Sequence, residues 1–275
     1  MVLLLLMTSF DVPERARASD FWDEVRTPGL RVWREDLARA RLALRARRFV
    51  QAREAATLAI QTLPERAEGY VVRARVSAEQ GVVEGAREDL LAALERDESS
   101  LDSPEDGTPA AEVLARAGDY ETAARVLQRV LGRMRSGGSR RMLYGLYGDV
   151  LMSLGPERLV DAVRAYREAL RAARHDPRSS LGLALALRRT PDADRDAPEW
   201  RDLARTVAAR GRVEALLASL PIPDAERAAR RAITLEAMDD VAGAVEAWAA
   251  VDEGVWASHA ADQAGELTTP RRRRP

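Results

Sequence analysis

Few side chains in this sequence have the type and spacing needed for covalent or acid–base chemistry. There are two histidines, His175 and His259, and neither has a metal-ligating residue four positions on, the spacing that puts two ligands on one helix face. Cysteine is absent, which removes disulfides, thiolate metal sites and cysteine nucleophiles. Carboxylates are abundant, but Asp239-Asp240 falls between two apolar-periodic stretches, where a helix start accounts for it. Asp192, Asp194 and Asp196 alternate as in a calcium loop, without that loop's Gly or its terminal Glu. Gly137-Gly138 has no following Lys and reads as a linker, and Gly145-Leu146-Tyr147-Gly148 lies in a helical pattern rather than at a strand-to-helix turn. The sequence predicts no catalytic residue, no cofactor and no metal site.

What remains is recognition chemistry by arginine. Every basic side chain is Arg, since Lys is absent, and Asn is absent too. A GC-rich coding sequence explains such a composition, so Arg abundance alone does not point to phosphate. The net charge is −1, which gives no global field to draw nucleic acid or an anionic membrane. Neither nucleic acid nor a membrane span is expected among the partners.

The elements that position these side chains are helices. The chain has 275 residues, of which 46% are apolar and 5% aromatic. Ala and Leu, both strong helix formers, carry much of the apolar content. Ala40, Ala52, Ala56 and Ala59 return as Ala74, Ala86, Leu90 and Ala93, all at an offset of 34 (74 − 40, 86 − 52, 90 − 56, 93 − 59). That period marks a stack of helix pairs. Helices are predicted over 35–47 and 49–62, 68–80 and 83–96, 109–117 and 120–133, 141–154 and 157–174, with a short one over 181–187. Degenerate pairs follow over 198–210 with 213–220 and 224–238 with 241–251. Ser99–Gly107 reads as a loop, Gly81 and Gly118-Asp119 as turns, and Pro64 as a stop. Trp22 and Trp33 read as a cap on the first repeat.

Small residues midway along the first helix and one turn into the second, with Pro at the end, resemble the tetratricopeptide repeat (TPR). The best copies lie within residues 33–98. Tyr70 with Ala74, and Tyr144 with Gly148, partly match its usual Trp-x-x-Leu-Gly-x-x-Tyr stretch. The resemblance implies an all-α, right-handed α-solenoid of about five to six antiparallel helix pairs, the last ones degenerate. It also implies a concave groove lined by the first helix of each pair: Arg34, Leu37, Arg41, Leu44 and Arg45, then Val71, Arg75 and Ala78, then Glu112, then Asp149 and Met152. The expected partner is a protein or peptide segment, acidic toward the Arg-rich end, because guanidinium groups pair with carboxylates. The competing reading pairs these Arg with Glu68 and Glu79 on neighbouring helices. Relatives that clamp the carboxylate tail of chaperones do so with Asn and Lys, both absent here. The function expected is a non-catalytic interaction scaffold. The alternatives are a helper subunit of an enzyme or cell-envelope assembly and, less favoured, a nucleic-acid binder using helix faces and Arg271–Arg274.

The organisation expected is an N-terminal block over 19–135, a central repeat and helix over 140–190, degenerate pairs over 197–255 and a flexible tail over 256–275. Residues 1–18 hold an apolar run, Val2–Met7, and a small-x-small triplet, Ala16-Arg17-Ala18. They read as a signal peptide or a disordered N-terminus. The corresponding location is periplasmic or secreted, with cytoplasmic as the alternative.

Overall fold

The structure, a computed structural model, describes Trp22 and residues 25–134, 138–190 and 197–269. The expected signal segment, the 192–196 carboxylates, residues 136 and 137 of the expected linker and the Arg271–Arg274 tail lie outside the described residues. No strand occurs among the described residues, and no described helix is long and apolar enough to cross a membrane. The chain divides into two compact units. The first runs to Gly81 and includes Glu88–Glu98; the second comprises Val82–Arg87 and everything from Ser99 on. The division falls inside the expected 19–135 block.

The first unit holds α1 (Leu30–Arg45), α2 (Phe49–Thr62), α3 (Ala67–Glu79) and the C-terminal part of α4 (Val83–Arg96). Short connections make neighbours that pack together run antiparallel, and α1 packs on α2 and α2 on α3. The core sets Leu30, Trp33, Leu37 and Ala40 of α1 against Ala55, Ala56 and Ala59 of α2 and Val72 of α3. All eight residues of the 34-residue pattern are buried, none more than 3% exposed. Trp33 is buried in this core as a cap should be, whereas Trp22 is mostly exposed. The turn after α3 uses Gly81 at φ 76°, and the equivalent turn 34 residues earlier uses Arg47 at φ 56°. Between α3 and α4, Arg73 donates from Nε and Nη2 to the two oxygens of Asp89, at 2.9 and 2.6 Å. That fork holds the Arg73 guanidinium more firmly protonated than usual, chiefly through the hydrogen bond itself.

The second unit begins with α5 (Pro104–Arg116), α6 (Tyr120–Arg133) and α7 (Gly138–Leu154). After a short 3-10 turn come α8 (Leu159–Ala172), α9 (Pro177–Arg188), α10 (Ala197–Ala208), α11 (Val213–Ser219), α12 (Asp224–Ala237), α13 (Val241–Ala249) and α14 (Ala257–Thr268). At its centre is α9, which packs on α7, α8, α10 and α12. Ser179–Leu187 is buried without interruption, as a helix apolar on all sides must be.

Several boundaries differ from the sequence reading, α1 beginning at Leu30 rather than at 35, and three of the differences have a local reason. α5 starts inside the expected 99–107 loop because Ser103 caps it, accepting from the Asp106 N–H at 3.1 Å, with Pro104 in the first turn. α9 starts at Pro177 rather than Leu181 because Asp176 caps it, accepting from the Ser179 N–H at 2.9 Å. Ala257–Thr268 is a helix rather than a flexible tail. Trp256, just before it, is buried, and its indole N–H donates to the Met152 carbonyl at 2.8 Å.

Candidate protein-binding site

Residues 30–48 hold seven Arg against Glu35 and Asp36, the densest run of positive charge in the first unit. The α1 hydrogen-bond ladder sorts them. Leu30, Trp33, Leu37, Ala40 and Ala43 take the core face. At 3.6 residues per turn, Arg31, Arg34, Arg41 and Arg45 then fall within an arc of roughly 80° beside it. Arg34, Arg41 and Arg45 are exposed, and Leu42, at the edge of that arc, is 67% exposed. Arg31 reaches Glu35 at 4.0 Å, and Arg39 pairs with Asp36 at 3.0 Å. Arg45 donates from Nε to the Arg41 carbonyl at 3.4 Å, a bond that leaves its charge uncompensated. Among the described residues no carboxylate pairs with Arg41, Arg45 or Arg48. The two carboxylates that could have neutralised the stripe are engaged elsewhere, Glu68 with Arg66 at 4.0 Å and Glu79 with Arg47 at 3.6 Å.

The other candidate residues scatter. Leu37 and Val71 are buried in the first unit, and Leu44 is half-buried against its core. Arg75 and Ala78 are half-buried on α3. Glu112 is half-buried on α5, in the second unit. Asp149 and Met152 are fully buried, so neither lines a surface. Their positions on α7 face the interior because α7 packs on α5, α6, α8 and α9.

Asp149 instead anchors an ion cluster absent from the sequence reading. Its Oδ1 accepts from the Tyr166 hydroxyl at 2.7 Å and from Arg230, and its Oδ2 accepts from Arg178 Nε at 2.6 Å. Arg230 also donates to the Tyr166 hydroxyl at 2.9 Å. Burial by itself would raise the Asp149 carboxyl, but the Arg230 and Arg178 charges and the Tyr166 bond outweigh it and hold it below the ordinary range. Burial likewise pushes the Tyr166 phenol well up, so it is a neutral donor. Nearby, the equally buried Arg189 and Glu226 pair at 2.6 Å, with the Arg189 guanidinium 4.2 Å over the Trp256 ring. The Tyr166 ring is seated by two glycines: a Cβ added at Gly148 would lie 2.6 Å from it, and one at Gly182 would lie 2.4 Å away. Each member is a common residue in a helix, and nothing in spacing alone separates Arg230 from the exposed Arg231 beside it. Among the described residues no cluster of three or more His, Asp or Glu could hold a metal ion.

No protein-family model and no curated protein matches the chain. Solved structures do resemble it. MamA matches with a TM-score of 0.50 at 16% identity, covering 66% of this chain and 94% of its own. PilF of Pseudomonas aeruginosa matches with a TM-score of 0.48 at 16% identity, covering 80% and 90%. YrrB, described as a TPR protein with an unusual peptide-binding site, matches with a TM-score of 0.44 at 19% identity, covering 79% and 94%. At these identities the likeness is one of fold. Paired helices with small residues buried at a 34-residue interval, and the match to MamA, give this chain the fold of tetratricopeptide-repeat proteins.

Proposed function

We propose that the chain is a non-catalytic protein-interaction scaffold, and that the α1 face of its first unit takes an acidic segment of a partner. One observation carries this reading: Arg41, Arg45 and Arg48 are exposed, and no carboxylate of the described residues neutralises them. An isolated exposed cation is ordinary, but Arg41 and Arg45, four positions apart on α1, repel each other, and Arg48 follows just beyond the helix end. Carboxylates from outside relieve that repulsion and form charge-assisted hydrogen bonds. Leu42 beside the stripe offers apolar contact, so the segment best suited alternates acidic and apolar residues.

The test uses labelled synthetic peptides matched in apolar content and differing only in charge sign, with fluorescence anisotropy as readout. The acidic peptide binds and the basic one does not, and Arg41→Glu with Arg45→Glu weakens the acidic peptide at least tenfold, about 1.4 kcal/mol. Equal affinity in the double variant removes the proposal. A single-stranded oligonucleotide is the control. If it binds with a steep salt slope while the peptides do not, the stripe is a phosphate surface instead. The reading extends to an exported protein processed after Ala18. Intact mass of the native protein tests this, since a mature chain that retains Val2–Met7 contradicts it.

A further inference from the structure

The second unit contains a cleft of about 350 Å³ between the loop joining α8 to α9, the start of α9, and α10. Its size is that of sites holding small ligands or a few residues of peptide. We propose that this cleft binds a short extended peptide segment carrying a basic residue at one end, an acidic residue at the other and a small apolar residue between.

The argument starts from the floor. Leu203 and Val207 supply its apolar part, and Ser180 lines it beside them. Ser180 is only 5% exposed, and its N–H is satisfied by the Asp176 carbonyl at 2.9 Å. Its hydroxyl has no partner among the described residues. Lining the cleft, that hydroxyl can pair with a ligand's backbone amide or carbonyl.

The two ends carry opposite charge. Arg210 donates from Nη1 to the His175 carbonyl at 3.0 Å, which sets it against the loop that bears Arg174. Arg174 is exposed and has no carboxylate partner among the described residues. At the other end stand Glu199 and Asp202, in the first two turns of α10. Glu199 is held loosely by Arg167 at 3.5 Å, while Asp202 has no cation partner among the described residues. From Glu199 to Arg210 the chain advances roughly 16 Å at helical rise, the length of about five extended residues. A segment charged alike at both ends would meet repulsion at one of them, so the cleft discriminates by charge order rather than by net charge. This differs from the α1 stripe, which is of one sign throughout.

The test is run on the full chain carrying Arg41→Glu and Arg45→Glu, so that the α1 stripe does not contribute. Three labelled heptapeptides share an apolar middle: one has Arg and Glu at opposite ends, one Glu at both, one Arg at both. The mixed peptide binds at least fivefold tighter than either of the others. Adding Asp202→Arg moves the preference to the doubly acidic peptide, and adding Arg174→Glu moves it to the doubly basic one. Both positions are exposed, and each variant gains a preference rather than merely losing one, so misfolding cannot imitate the result. The proposal falls if no peptide binds, if the mixed peptide holds no advantage, or if the substitutions leave the order of preference unchanged.

Discussion

Arg47 sits in the left-handed region at φ 56°, a conformation that costs an L-residue with a Cβ about 1–2 kcal/mol and that Gly adopts freely. Its counterpart Gly81 avoids that cost. The compensation available to Arg47 is small: an ion pair with Glu79 at 3.6 Å, with both side chains well exposed, and a guanidinium 5.6 Å from the Phe49 ring. Arg47→Gly is therefore expected to stabilise the first unit by about 1 kcal/mol in urea denaturation. A loss would mean that the contacts with Glu79 and Phe49 outweigh the backbone strain. A second residue-level expectation concerns His259. Burial first, then the Arg189 and Arg188 charges, push its imidazole down to about 4, with Asp262 opposing weakly. Unfolded, it titrates near the ordinary 6.5. Between those values the unfolded state binds a proton that the folded state does not, so stability falls as pH drops from about 6.5 toward 4. Other groups titrate in the same range, so the readout is a difference: the melting temperature of wild type minus that of His259→Gln should decline on acidification from pH 7 to pH 4.5. A difference independent of pH would show that His259 charges normally.

At the scale of elements, close approach is what the small residues provide. Ala74 is 1% exposed and Ala78, four positions on, is half-buried. Ala74→Trp should cost on the order of 1–3 kcal/mol or more by overpacking, and Ala78→Trp much less. Thermal melts ranking them the other way would invert the face assignment of α3. Gly182→Ala makes the same point in α9, where the new methyl would lie 2.4 Å from the Tyr166 ring. That loss should shrink in the Gly182→Ala, Tyr166→Leu double variant, which removes the clashing ring. A loss unchanged in the double variant would place the strain elsewhere. These positions explain what was legible beforehand. An interval of 34 with small residues at four fixed points admits helix pairs and little else, so α2–α4 were readable to within about a residue, while α1 begins five residues before the expected 35. Caps at Ser103 and Asp176 were present in the sequence as local signals but lay in stretches dominated by Pro and acidic residues, which read as loop. α14 was not readable, because Ala257–Thr268 carries few large apolar residues. What orders it is the neighbouring Trp256, through a bond to Met152 104 residues away. Of the candidate groove residues, Arg41 and Arg45 are exposed, whereas Asp149 and Met152 are interior. The tetratricopeptide-repeat resemblance, which implies a groove face for the first helix of each pair, put Asp149 and Met152 on the same face as Arg41 and Arg45, and it could not register that α7 is covered by four neighbouring helices.

At the scale of the molecule, the second unit is tied together by charges its sequence separates widely. Asp149 of α7, Tyr166 of α8, Arg178 of α9 and Arg230 of α12 meet in one cluster, and Asp149 and Arg230 are 81 residues apart. Desolvating such groups is expensive, and an intact buried pair often adds little net stability over well-packed apolar residues. Breaking it is a different matter. Asp149→Ala would leave Arg230, which is 0% exposed, without its carboxylate, and a buried unpaired cation costs about 3–5 kcal/mol. The expected signature in hydrogen exchange is a loss of protection across α7, α8, α9 and α12, with α1–α3 of the first unit unchanged. Protection lost equally in α1–α3 would show that the two units open as one. The triple variant Asp149→Leu, Tyr166→Phe, Arg230→Met removes three of the four interacting groups, leaving only the partly exposed Arg178, and should recover most of the stability lost in Asp149→Ala. If it does, the cluster serves to fix which helices meet, by making wrong pairings of α7 and α12 leave charges unsatisfied. If the triple variant is instead as unstable as Asp149→Ala, the ionic bonds themselves hold the second unit together, and the apolar packing around Tyr166 is secondary.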